Sequence, residues 1–212
     1  MNFKFRHTVP VTTALLLTLL ALIATPVHAM KIRSQNLTQL ITESSSIVFG
    51  TVSSVTDGID AKGVPYTEIT ISVGSDAKGK IADGASYSFR QFGLLTPRKM
   101  PNGKAYIALR PEGFPSWVEG ETVMAFLRAP ASITGLQTTA GMGQGKLSMI
   151  NGKFINEYGN AGMFEGVDID SSLLTAEQQN MLLSPRAIDA SAFIDLVGRA
   201  VSEQWIEKGV LK

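Results

Sequence analysis

Few residues in this chain could do chemistry, and their spacing excludes more than it permits. Ser75-Asp76-Ala77-Lys78 has the S-x-x-K spacing of an acylating serine activated by a lysine. That chemistry needs a helical turn to carry the amine back to the hydroxyl. Here the four residues follow an alternating, strand-like run and precede Gly79, so a turn is expected. Gly141-Met142-Gly143-Gln144-Gly145-Lys146 is similar to a phosphate loop, but Leu147 stands where Ser or Thr would be required. A strand rather than a helix is expected next, so glycines at alternate positions suit a sharp bend or close backbone approach. Glu165, Asp168 and Asp170 cluster three carboxylates, with Asp57 and Asp60 as a second group. Either could offer oxygens to Ca²⁺, although neither has the twelve-residue loop pattern and a solvated loop is the simpler expectation. Carboxylate-based glycoside hydrolysis depends on separations in space and stays open. No cofactor is implied.

The aromatic residues pose a different question. Phe92 and the stretch GFPSWVEGETVMAFLRAP (113–130) bring Phe114 and Trp117 close to the start of a strongly apolar run. An aromatic residue in a loop entering a strand can plug the open end of a small barrel. Alternatively, Phe92, Phe114 and Trp117 form an exposed patch for a partner or ligand. The plug is the preferred reading of Trp117.

Residues 1–29 read as a cleaved export signal. Lys4, Arg6 and His7 open it, an apolar core spans 11–24, and Val27-His28-Ala29 has the small-x-small form of a cleavage site. The core is short for a membrane span, which needs about 20 residues, and no later segment could serve as one. Cleavage after Ala29 would leave 183 residues without His or Cys, because both histidines, His7 and His28, are lost and the chain has no Cys. Ser-His-Asp and Cys-His catalysis would then be unavailable, as would zinc sites built on imidazole or thiolate. Removing Lys4 and Arg6 from 19 Lys+Arg leaves 17 against 18 Asp+Glu, a net charge of −1. Such a balance does not favour nucleic acid as a partner. The protein is expected in the periplasm or outside the cell, with a core that does without disulfides.

Elements that would carry these residues follow from periodicity. A short helix is expected over 37–46, then strands over 47–55, 66–73, 85–92, 105–109 and 122–128. The last of these is apolar on both faces, as a central strand with cover on each side would be. Residues 136–150 read as a strand interrupted by glycines, and Asn151-Gly152 as a hairpin turn joining KLSMI to KFI. Thr175 and Gln178 can form a capping box for a helix over 176–183. Asp189 can cap a final helix whose apolar stripe is Phe193, Leu196, Val197, Ala200, Val201 and Trp205. The expected fold is mainly β: one domain, 30–212, forming a small closed or partly open barrel with C-terminal helices (about 170–207) packed on it.

Together, SIVFGTV, YTEITISV with AKGK, RQFG, GFPSWVEGETVMAFL and GKLSMINGKF resemble a largely uncharacterised family of exported bacterial proteins. The likeness covers about 36–156 and implies a barrel of the OB or netrin/TIMP-like kind. Some members lie beside a matrixin-type metalloprotease domain, whose HExxH this chain lacks. Ser45-Ser46 and Trp117 depart from the family's usual Ala-Asp and Phe. The resemblance implies no catalytic residues; Gly50, Tyr66, Lys78, Gly79, Gly113, Pro115, Gly120 and Glu121 read as architecture. Three functions are weighed: a non-catalytic envelope module binding a protein or other ligand, a regulator or inhibitor of an exported protease, and a carboxylate hydrolase. The first is preferred, with an envelope protein as its possible partner; oligomeric state is left open.

Overall fold

The computed structural model describes residues 34–100, 102–184, 186 and 188–212, and the expected leader, 1–29, lies outside the described residues. Its spine is β1 (Ser46–Ile59), which pairs antiparallel with β2 (Pro65–Asp76) on one side and with β6 (Thr122–Leu127) on the other. β3 (Ser86–Phe92) extends the sheet beyond β2, and β7 (Lys146–Ile150), β8 (Lys153–Ile155) and β9 (Ile188–Asp189) extend it beyond β6. The full order is β3-β2-β1-β6-β7-β8-β9. A separate two-stranded ribbon joins β4 (Arg98–Lys99) to β5 (Ala105–Tyr106).

The mainly β expectation holds, but no closed barrel forms among the described residues. The segment meant to supply a strand over 136–150 is the physical reason. Only 146–150 is strand; Met142–Gly145 winds into a 3₁₀ turn, with Gly141 at φ 60°. A Cβ on Gly145 would lie 2.0 Å from the Ala140 carbonyl oxygen, so that approach requires glycine. Residues 137–139 nevertheless span the gap: Gln137 N donates to Arg90 O at 2.7 Å, Arg128 N donates to Thr138 O at 3.0 Å, and Thr139 bridges Leu127.

Two cores form, one on each face. Alternation in β2 sends Ile69, Ile71 and Val73 into one, together with Val48, Val52, Phe89, Trp117, Val123, Ala125 and Leu127. Met124, Phe126, Ile47, Leu147 and Phe154 point the other way, towards the helices. There Phe193 meets Phe126, Phe154 and Phe164 at centroid distances of 6.4, 6.1 and 6.3 Å.

Helix α1 (Leu37–Glu43) is shorter than expected, because Ser46 already pairs with Leu127. Asn36 and Gln39 close a capping box on it. The expected box of Thr175 and Gln178 is present on α2 (Ala176–Leu183), and Asp189 caps α3 (Ala190–Ser202) through Ala192 N at 3.0 Å. Trp205 lies beyond the end of α3, still buried in its core. β1 runs past its expected end through Thr56-Asp57-Gly58, because β2 continues to pair with it as far as Pro65. The 105–109 strand shrinks to 105–106 plus a Leu109–Leu94 bridge.

Ser75 and Lys78 fall at the end of β2 and in its turn, as expected. Asp76 between them is the organising group. Its buried carboxylate accepts from the backbone N–H groups of Ile47, Lys78, Lys80 and Ile81 at 2.9–3.2 Å. Asp76→Ala leaves four donors without it and is expected to cost about 3 kcal/mol in urea denaturation, whereas Ser75→Ala stays within about 0.5 kcal/mol.

Candidate functional site

The second core opens at one end onto a cavity of about 340 Å³, walled by β1, β2, β3 and the loops 93–95 and 108–117. Val55, Phe92, Leu94, Leu95, Leu109 and Trp117 make its lining largely apolar, with Thr67, Gln91, Ser116 and Arg110 as its polar groups. Gln91 reaches this position because β3 alternates Tyr87, Phe89 and Gln91 inward, while Ser86, Ser88 and Arg90 face solvent.

Trp117 forms the inner wall. Only 7% of it is exposed, so it closes the end of the core, as the plug reading expects, and offers little surface for a patch. Its ring packs edge-on against Phe89 at 5.4 Å. The indole Nε1 donates to Gln91 Oε1 at 3.2 Å, and Gln91 Nε2 donates to the Pro115 carbonyl at 3.1 Å. This closed pair of bonds holds the 115–117 loop to β3 and consumes both ends of the Gln91 amide.

Charge supports the tryptophan from another direction. Lys146 Nζ lies 5.3 Å from the Trp117 ring centroid and 2.6 Å from Glu121 Oε2, and is only 5% exposed. Ser148 Oγ lies 3.1 Å from the same carboxylate oxygen, while Val118 N donates to Glu121 Oε1 at 2.8 Å. The lysine of the glycine run thus belongs to a structural ion pair rather than a phosphate site. Gly120, Glu121 and Lys146 set the loop entering β6, with Gly120 N donating to Val52 O at 2.8 Å.

Two further carboxylates fix the mouth. Glu157 Oε1 accepts from Arg110 at 3.1 Å and from both Ser116 N and Ser116 Oγ at 3.0 Å. Asp57 Oδ2 accepts from Leu95 N at 2.8 Å and Thr96 N at 3.1 Å, and Arg98 pairs with Oδ1. Burial works to raise the Asp57 pKa, but Arg98 and the Thr96 and Leu95 amides outweigh it and hold the carboxyl below its usual value. Asp57, first read with Asp60 as a possible Ca²⁺ group, anchors a loop instead.

Of the three aromatic residues expected at a binding patch, Phe92 and Trp117 meet at the cavity, whereas Phe114 is not part of its lining. Glu165, Asp168 and Asp170 are not gathered into a cage: among the described residues no group of three or more acidic side chains could hold a metal ion. Asp168 and Asp170 line a shallow surface hollow. Asp170 accepts from Ser172 N at 2.9 Å, and that bond holds its pKa down. Sequence reasoning missed Gln91, Leu95, Leu109 and Arg110. The inward alternation of β3 was a usable signal for Gln91; the others are brought in by the Leu94–Leu109 bridge, which no periodicity announces.

Comparison of the chain with protein-family models, with curated proteins and with solved structures returned no match.

Two outcomes test this architecture. Glu121→Ala, which strands the Lys146 ammonium, is expected to destabilise by about 3–5 kcal/mol, while Glu121→Gln combined with Lys146→Met costs far less; denaturant curves for the cycle measure the difference. Because folding depresses the Asp57 pKa, its contribution is full above the unfolded carboxylate value of about 3.9 and is lost as pH falls through the folded one. Wild type is therefore expected to exceed Asp57→Asn in denaturation midpoint at neutral pH, with the two converging in acid.

Proposed function

We propose that this protein is an exported, non-catalytic β module that binds a protein or other ligand through the cavity beside Trp117. The observation that carries the reading is the cavity itself. At about 340 Å³ it has the size of a small-ligand site, or of a recess for a partner's apolar side chain, with a few polar groups among apolar walls. Leu95 and Leu109 continue its lining outward at 52% and 45% exposure. A carboxylate hydrolase would need two acids in one cleft, and the residues lining this one include neither Asp nor Glu.

Export rests on the leader-like N-terminus, which would place the protein in the periplasm or outside the cell. The finer fold reading, a barrel of the OB or netrin/TIMP-like kind, draws support from the β3-β2-β1-β6 succession around one core and from residues 137–139 spanning its open side. In that reading the cavity is the mouth of the barrel, a common place for a ligand.

Val55→Phe fills the cavity from β1, where the side chain is only partly buried. Wild type and variant are used as bait in envelope extract, and bound species are identified by native mass spectrometry. A ligand or protein retained by wild type and lost from Val55→Phe is the expected result. The same set on both baits removes the cavity as the binding site. Turnover of peptide, ester or glycoside substrates, abolished by a single Asp or Glu replacement that leaves the fold intact, overturns the non-catalytic reading.

A further inference from the structure

Beside the cavity, the β4–β5 ribbon carries a different surface. Between Gly93 and Pro111 the sequence has four cations, Arg98, Lys99, Lys104 and Arg110, and neither Asp nor Glu. The acids that reach it from elsewhere are already matched: Asp57 pairs with Arg98 and Glu157 with Arg110. Lys99 and Lys104 are exposed and have no ion-pair partner among the described residues. Their stretch of chain also leaves large aliphatic side chains in water: Ile107 is 71% exposed, Leu95 52% and Leu109 45%. Arg98 and Tyr106 tie the ribbon to the body: Arg98 Nη2 donates to Asp57 O at 2.7 Å and pairs with the Asp57 carboxylate, and Tyr106 Oη donates to Gly63 O at 2.8 Å. The lysines and aliphatic groups make neither bond and stay exposed.

We propose that this ribbon docks the protein on an anionic phospholipid surface, with Lys99 and Lys104 among the headgroups and Ile107 and Leu95 at the acyl boundary. Exposed cations interleaved with exposed aliphatic groups match that boundary, which takes both at once. An acidic protein surface would satisfy the lysines and leave Ile107 and Leu95 wet. No helix among the described residues is long and apolar enough to cross a membrane. The lysines and Ile107 lie outside the cavity lining, and Leu95 is shared with it.

Co-sedimentation with phosphatidylcholine vesicles, made with and without phosphatidylglycerol, tests the assignment on the protein as isolated. Preferential partition onto the phosphatidylglycerol vesicles is expected, weakening as salt rises. Each neutralised lysine should lower the partition roughly five-fold, so Lys99→Gln with Lys104→Gln lowers it about 25-fold. Both positions are exposed, and an unchanged melting temperature confirms that the variant is folded. Ile107→Ser should weaken partition without altering the salt slope. Equal partition onto both vesicle types, no partition, or partition untouched by the double variant overturns the proposal. Lysine-dependent binding to an acidic protein without vesicle binding overturns it too. Val55→Phe separates this reading from cavity binding, since it should leave vesicle partition in place.

Discussion

Adjacent strands β1 and β6 bury side chains on both faces, and the rest of the molecule answers that constraint. β6 sends Val123, Ala125 and Leu127 one way and Met124 and Phe126 the other, and β1 does the same with Val48 and Ile47. A strand pair of this kind is stable only if each face receives its own cover. On one face α1, α3 and the Phe193 aromatic cluster supply it. On the other the sheet covers itself: β2 and β3 curl over, and Trp117 closes the end. The close pairing of β1 and β2 has its own demand, since a Cβ on Gly50 would lie 2.3 Å from the Ser72 carbonyl oxygen. Glycine at that register shift lets the strands approach as β1 bends.

The polar groups inside this frame serve the chain's own geometry. Asp76 gathers four amides at the end of β2, Asp57 holds the 95–98 loop, Glu157 ties down the 110–116 loop, and Glu121 neutralises Lys146 beneath Trp117. Each carboxylate accepts from nearby amides, hydroxyls or a cation, and the burial of Asp76 is tolerated because its four amide bonds satisfy it. The mouth they hold in place is largely apolar.

That rim also separates two surfaces with different physics. The cavity is a partly open, mostly apolar recess between strands and loops, where shape and desolvation would govern what enters. The β4–β5 ribbon is exposed and cationic, so any attraction it exerts would weaken with salt. The two share Leu95 and Leu109, which puts a bound ligand and a docked surface within reach of each other.

Local order was legible in the sequence wherever a short-range rule decides it. The inward Ile69, Ile71 and Val73, the two-sided run over 122–127, the Asn151-Gly152 hairpin, the Thr175–Gln178 box and the Asp189 cap all depend on residues within a few positions of one another. The failed S-x-x-K and phosphate-loop geometries were equally readable, because turn and strand context exclude them. Tertiary structure alone decided the rest. The 3₁₀ turn at Met142–Gly145 replaces part of the strand expected over 136–150, and no closed barrel forms among the described residues where a closed or partly open one was expected. Phe92 and Trp117 share a cavity without Phe114 because the Leu94–Leu109 bridge and the Gln91–Trp117 bond select which side chains converge. Those contacts join residues 15 to 26 positions apart and are set by packing, to which periodicity is blind.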